Sequence, residues 1–271
     1  MIKGSEGIVL AADSRVTLLN QVATPQAGQV LVIPATFDNA TKVLKVAEQD
    51  YVGAVTYGLG AFMTENGPRT MQSFIPEFEE RLKKDKVKRL TVGDFAKRLS
   101  DFFLEQWNAL VKRGPNPGEE INFLIGGFDE GAAYGRGFLF VIPTNPSPVE
   151  QNPGPGQFGI TWGGQHDAVF RLLYGYDTGV LEFLRTEFNL EPAKLAELNQ
   201  KMQPLFAAGI PYQFLPLQDC VDLAIFLIKN TIDFQKFRTN VVRGVGGPVE
   251  VAIVTRDGGF RFVSQRKIAA S

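Results

Sequence analysis

The sequence predicts an α+β protein with sheets at its centre and helices on both outer faces. Three observations carry this. Short β-type runs follow one another from residue 7 to 58, and two strongly periodic helical stretches occupy 68–84 and 91–111. After a second pair of strands and a second group of helices, the chain closes on a hairpin pattern at 249–263. No internal repeat or shift in composition divides residues 1–271, so the chain reads as one domain.

Residues 7–17 form the first predicted strand. Ile8 to Ala12 are all apolar, which leaves no polar face and implies cover on both sides. Asp13 closes that run. A carboxylate there is costly unless a cation or several donors meet it, so it is either a paired structural charge or part of a site. Its cation is sought in 41–46, where Lys42 alternates with Leu44 and Val46 and Lys45 with Val43. One of these lysines must turn away from water, or one face is only partly apolar. Between them, 30–33 is a short strand or a core-facing loop, in a stretch punctuated by Pro25, Gly28 and Pro34. Residues 51–58 are a further strand, ending in a turn at Gly58 and Gly60.

Pro68 precedes a helical pattern in which Met71, Phe74, Ile75, Phe78 and Leu82 share a side. Thr91 and Asp94 make a capping-box pair ahead of a second stripe: Val92, Phe95, Leu99, Phe102, Phe103, Trp107, Leu110 and Val111. That spacing predicts a helix packed on a sheet, stopped by the turn residues 114–118. Residues 121–127 and 137–142 are buried strands, and 143–156 is a proline-rich loop. Helical periods return over 167–188, interrupted by Gly175 and Gly179, then over 191–202 and from 217 to about 234. Cys220 lies beside the apolar stripe of the last and reads as a buried thiol rather than a nucleophile.

Composition narrows the function. Apolar residues make up 44% and charged residues 21% of 271, and the net charge is -1. These totals give no reason to expect nucleic acid or an anionic membrane as partner. The sequence shows neither a 20-residue apolar span nor a signal peptide at its start. One cysteine excludes an internal disulfide framework and fits a reducing, cytoplasmic compartment. The one histidine, His166, excludes a zinc site built on several. Gly58-Leu59-Gly60 lacks the third glycine of a dinucleotide loop, and 114–118 lacks the Lys-Ser/Thr of a P-loop. Gly163 and Gly164, ahead of a helix, offer either anion-binding N–H groups or a tight strand-to-helix turn.

Residues 7–17, Gly-Ile-Val-Leu-Ala-Ala-Asp-Ser-Arg-Val-Thr, with Lys42 opening a strand and the glycine turn at 57–60, resemble the proteasome β-type family of N-terminal nucleophile hydrolases. The strand 121–127 followed by Phe128-Asp129, and Val245-Gly246-Gly247-Pro248 before the closing strand pair, are similar to later landmarks of that family. The resemblance covers most of the chain. It implies a four-layer αββα sandwich, and a threonine-type endopeptidase acting on peptides or unfolded proteins without a cofactor or metal. Assembly would be into homo- or hetero-oligomeric rings. It assigns Asp13 and Lys42 as supporting catalytic residues, and Arg15, Thr17 and Gly58 to the substrate groove; Gly163 and Gly164 would form a turn near the site.

Departures from the family pattern are specific. The family begins about four residues before the position of Met1, with the nucleophilic threonine, which the sequence as it stands does not contain. Gly163 stands where the family carries a serine, Val242 and Val245 replace an aspartate–serine pair, and 189–215 is longer than usual. The chain as written is therefore expected to be inactive. A catalytically silent ring subunit and a small-amide hydrolase of the same superfamily are the alternatives.

Overall fold

The computed structural model describes residues 1–23, 30–65, 67–111, 119–239 and 242–265. Two five-stranded antiparallel sheets pack face to face. The first has the order β12 (Gly159–Ile160), β1 (Ile2–Lys3), β2 (Ile8–Asp13), β13 (Val249–Thr255), β14 (Gly259–Ser264). The second runs β11 (Asn145–Gln151), β10 (Arg136–Ile142), β9 (Ile121–Gly127), β6 (Val52–Gly58), β5 (Val43–Leu44). Two ribbons stand apart from them: β3 (Val16–Ala23) with β4 (Val30–Phe37), and β7 (Ala61–Thr64) with β8 (Gly67–Thr70).

The all-apolar run of β2 is explained by two packed faces. Ile8, Leu10 and Ala12 enter the layer between the sheets, with Ala252 and Val254 of β13 and Leu124 of β9. Val9, with Val251 and Ile253, packs instead under α6 (Leu217–Lys236), against Cys220, Val221 and Ala224. Helix α3 (Asp167–Tyr174) joins that layer, where Val169 and Leu173 meet Leu227. The outer face of the second sheet is covered by α1 (Ile75–Lys84) and α2 (Val92–Leu110). There Phe103 meets Phe123 at 4.6 Å between ring centroids, and Phe123 stacks on Phe140 at 4.8 Å.

Thr91 caps α2 as the sequence predicts, but Asp94 meets the Thr91 hydroxyl rather than the backbone N–H of a full capping box. The Thr91 hydroxyl accepts from the Asp94 N–H at 3.1 Å and donates to the Asp94 carboxylate at 2.8 Å. Thr91→Ala is expected to cost about 1 kcal/mol of unfolding free energy, read from urea denaturation. An unchanged midpoint would mean that the tertiary packing of α2 makes the cap redundant.

Several expectations need correction. The predicted strand 7–17 is two strands, because Ser14 leaves the ladder: its hydroxyl lies 3.0 and 2.8 Å from the carbonyls of Asp38 and Pro248, with one proton to share between them. The strand expected at 41–46 shrinks to Val43–Leu44. Residues 30–33 belong to β4, paired with β3 rather than with either large sheet. Pro68 lies in β8, and Met71 and Phe74 are buried from a 3-10 turn, so the first α-helix starts only at Ile75.

The proline-rich loop 143–156 contains strand β11. Pro146 and Pro148 are compatible with a strand because β11 is the sheet edge, where a missing N–H need not break a ladder. The expected helix at 167–188 is split into α3 and α4 (Thr178–Glu187), with Gly175 in the left-handed conformation at φ 75°. The long segment 189–215 folds mainly as α5 (Pro192–Phe206), which has no fully buried residue. Pro25, Gly28 and the helix stop at 114–118 lie outside the described residues. Among those described, no helix is long and apolar enough to cross a membrane.

Candidate active site

Asp13 ends β2 at the point where the chain turns out of the sheet, and Lys42 precedes β5 of the opposite sheet. Their side chains meet: Lys42 Nζ lies 2.8 Å from Asp13 Oδ1, with side-chain exposures of 17% and 12%. The other carboxylate oxygen accepts from the backbone N–H groups of Arg15 and Gly246, each at 3.0 Å. Three donors thus hold one half-buried carboxylate, which is what makes an ionised group tolerable there. Lys42 is anchored in turn by its carbonyl, which accepts from Thr56 N–H at 2.9 Å. Lys45 resolves the alternation question by pointing outward to the exposed Asp50, at 3.4 Å.

Arg15 does not enter the pair. Its guanidinium grips Asp38 through two bonds of 2.6 and 2.7 Å, a planar fork on a carboxylate. That hydrogen bonding holds the Asp38 carboxyl below its ordinary range and the guanidinium above its own. Gly246 leaves room for this fork: a Cβ on it would meet the Arg15 guanidinium and push it aside. The clamp fixes the loop ahead of β13, and with it the Gly246 N–H that Asp13 uses.

A cavity of about 590 Å³ opens beside the ion pair. Its wall includes all seven residues singled out from sequence: Asp13, Arg15, Thr17, Lys42, Gly58, Gly163 and Gly164. From the pair it runs under α3 and α6 to Val169, Ala224 and Leu227. Gly58, at φ 95°, turns the end of β6 where a Cβ would strike the Glu120 carbonyl at 2.2 Å. Thr17 Oγ1 and Trp162 Nε1 are buried without a hydrogen-bond partner. Gly163 and Gly164 carry the chain from β12 toward α3; the ring of Tyr57 fills the side-chain space of Gly163, so that an added Cβ would stand 2.0 Å from Tyr57 Cζ. His166 is exposed at the helix start and makes no side-chain cap.

The first sheet contains a slot at this end. Ile2 pairs with Val9 on one side and Ile160 on the other. Met1 extends the ladder, donating to the Thr161 carbonyl at 2.8 Å and accepting from the Thr161 N–H at 2.9 Å. Beyond the Met1–Thr161 pair, Ala11 to Asp13 and Trp162 to Gly164 both line the cavity. The Met1 amine is buried, and burial pulls its pKa from 8.0 to about 5.

Sequence reasoning missed Tyr57, Trp162 and a second carboxyl, Glu250. Glu250 faces the inter-sheet layer opposite the start of β5, with Oε2 buried and unpartnered. Burial pushes its pKa above the ordinary 4.5, while the N–H groups of Lys42 and Val43 pull the other way. With the folded-state value raised, proton binding favours the fold. That contribution is complete below the unfolded value near 4.5 and is lost as pH rises through the folded value. Glu250→Gln is therefore expected to lose less thermal stability than the parent between about pH 4.5 and pH 8. A parent whose melting temperature rises against the variant across that interval would contradict the assignment. An acid alternating with Val249 and Val251 on a strand carried no sequence signal for this role.

Among the described residues no group of three or more His, Cys, Asp or Glu side chains converges on a point that could hold a metal ion. The chemistry available at the site is that of an ammonium held by a carboxylate, hydroxyl and indole donors, and an unfilled strand position. The chain matches no model of a known protein family, and no characterised protein is significantly similar to it.

Proposed function

We propose that this chain is the body of a proteasome-like, threonine-type endopeptidase subunit with the four-layer αββα sandwich of the N-terminal nucleophile hydrolases. Its nucleophile is supplied by residues that precede Met1. The observation that carries the reading is the slot in the first sheet, which leads to the Asp13–Lys42 pair. Continuing the Ile2–Val9 register would set the first preceding residue opposite Ala11, the next opposite Ala12 and the third opposite Asp13, the last residue of β2, with the fourth one position beyond the strand's end. By strand alternation the fourth shares the face of Met1, which packs between the sheets, on the side of Lys42.

A threonine there performs amide hydrolysis in balanced steps. Its hydroxyl oxygen attacks the peptide carbonyl carbon while its own α-amine takes the hydroxyl proton. The resulting ammonium returns that proton to the departing amine as the C–N bond breaks, leaving an ester. Water, deprotonated by the same amine, then attacks the ester and frees the threonine. Lys42 stabilises the developing alkoxide by charge, and Asp13 orients Lys42. The substrate is an extended peptide or unfolded protein, bound by strand addition along Thr17 and Gly58. The subunit works in a homo- or hetero-oligomeric ring. A cytoplasmic location fits the free, buried Cys220.

The test is a fluorogenic-peptide assay on a chain extended upstream and processed to expose a threonine at the fourth preceding position. Turnover and covalent labelling by a threonine-directed electrophile are the expected results. A processed chain that shows neither overturns the peptidase reading and leaves the silent ring subunit, for which sedimentation would still show a species larger than a monomer. Turnover of small amides but not peptides would instead select the small-amide hydrolase.

A further inference from the structure

We propose that Tyr57 is a hydrogen-bond donor of this site, its phenol aimed at the amide carbonyl of a bound peptide; the inference rests on the cavity being a peptide site, as read above. On the cavity wall Thr17 Oγ1 and Trp162 Nε1 have no hydrogen-bond partner, and the Tyr57 hydroxyl forms no hydrogen bond among the described residues. The first two are buried, whereas Tyr57 is partly exposed and lines the cavity. An unpaired hydroxyl in such a half-closed space gains a net bond when a ligand carbonyl replaces poorly placed water.

The ring is held in place by construction. Tyr57 comes from β6, at the register position opposite Asn122 of β9, and leans across the gap between the sheets to Gly163. Glycine at 163 makes this possible, since a Cβ there would lie 2.4 Å from the Tyr57 hydroxyl oxygen and 2.0 Å from Cζ. The two residues interlock, so that the wall which lacks a side chain at 163 presents the phenol in its place. Burial raises the Tyr57 pKa above its ordinary value, which keeps the phenol protonated and a donor at neutral pH. Gly163, Tyr57 and Lys42 line the same cavity, so the ring borders the space that a peptide bound beside the ion pair would enter.

The test uses the 271-residue chain itself and needs no turnover. With tyrosine labelled at 13Cζ, each of the 6 tyrosines gives one resonance, and Tyr57→Phe identifies that of Tyr57. Titration with N-acetyl-Ala-Ala-Leu-amide is expected to move the Tyr57 resonance, and Tyr57→Phe to weaken binding about tenfold. Phenylalanine keeps the ring packing, so the loss reports the hydroxyl. Gly163→Ala, which displaces the ring, is expected to weaken binding comparably. The proposal is overturned if the peptide binds parent and Tyr57→Phe alike, or binds neither. If Tyr57 responds while the extended, processed chain fails to hydrolyse peptides, the peptidase reading falls and the donor assignment stands.

Discussion

Asp13→Ala is expected to lower the unfolding free energy by about 3–5 kcal/mol, the cost of breaking a buried pair by removing one partner. Asp13 accepts from Lys42 Nζ at 2.8 Å and from two backbone N–H groups at 3.0 Å. Alanine leaves a half-buried ammonium without its counter-charge and two N–H groups without an acceptor. One of these belongs to Gly246, so the loop that Arg15 and Asp38 clamp loses its tie to β2. Lys42→Met is expected to cost less, because the carboxylate then keeps both N–H donors and the methionine stem still packs. Urea denaturation of both variants measures the asymmetry. Equal costs would overturn the asymmetry, and an Asp13→Ala cost below about 1 kcal/mol would mean that the pair behaves as a solvated surface contact.

Lys42→Ala in the extended, processed chain is expected to reduce peptide turnover by about a thousandfold or more, while the melting temperature falls only slightly. The ammonium stands beside the carboxylate on the cavity wall, where the proposed reaction would develop negative charge on the attacking oxygen. Low exposure strengthens that interaction relative to water. Lys42→Arg is not expected to restore the rate, because a planar guanidinium cannot place its charge where the compact ammonium sits. Measuring kcat and KM separately is decisive: the loss belongs in kcat if Lys42 acts on the transition state. A variant that keeps kcat but raises KM would make Lys42 a binding residue only.

Local pattern carried much of the secondary structure. Helix α2 was readable because its apolar residues recur at three and four positions and Thr91 caps it. Strands β2, β9 and β13 were readable because a chain covered on both faces has no polar alternation. The need of Asp13 for a partner was readable too, since a carboxylate closing a buried run demands a cation or donors; a nearby strand offered Lys42 and Lys45, and the family resemblance named Lys42. What failed were stretches whose structure depends on their neighbours. Pro146 and Pro148 speak against a strand until it is known that β11 is a sheet edge. The break after Asp13 depends on carbonyls of Asp38 and Pro248, far along the chain.

The sequence by itself determined the α+β class, the two-sided burial of the first large-sheet strand, and the need of one aspartate for a cation or several donors. These follow from periodicity and from the cost of burying unpaired charge, both of which act over a few residues or on residue type alone. Only the tertiary structure decided that Arg15 spends its charge on Asp38, that Tyr57 occupies the side-chain space of Gly163, and that Glu250 is buried opposite the start of β5. It alone revealed the slot beyond Met1, which leads to the pair. Such contacts join residues far apart in the chain through close packing, and no local spacing encodes which distant side chain will fill a given space.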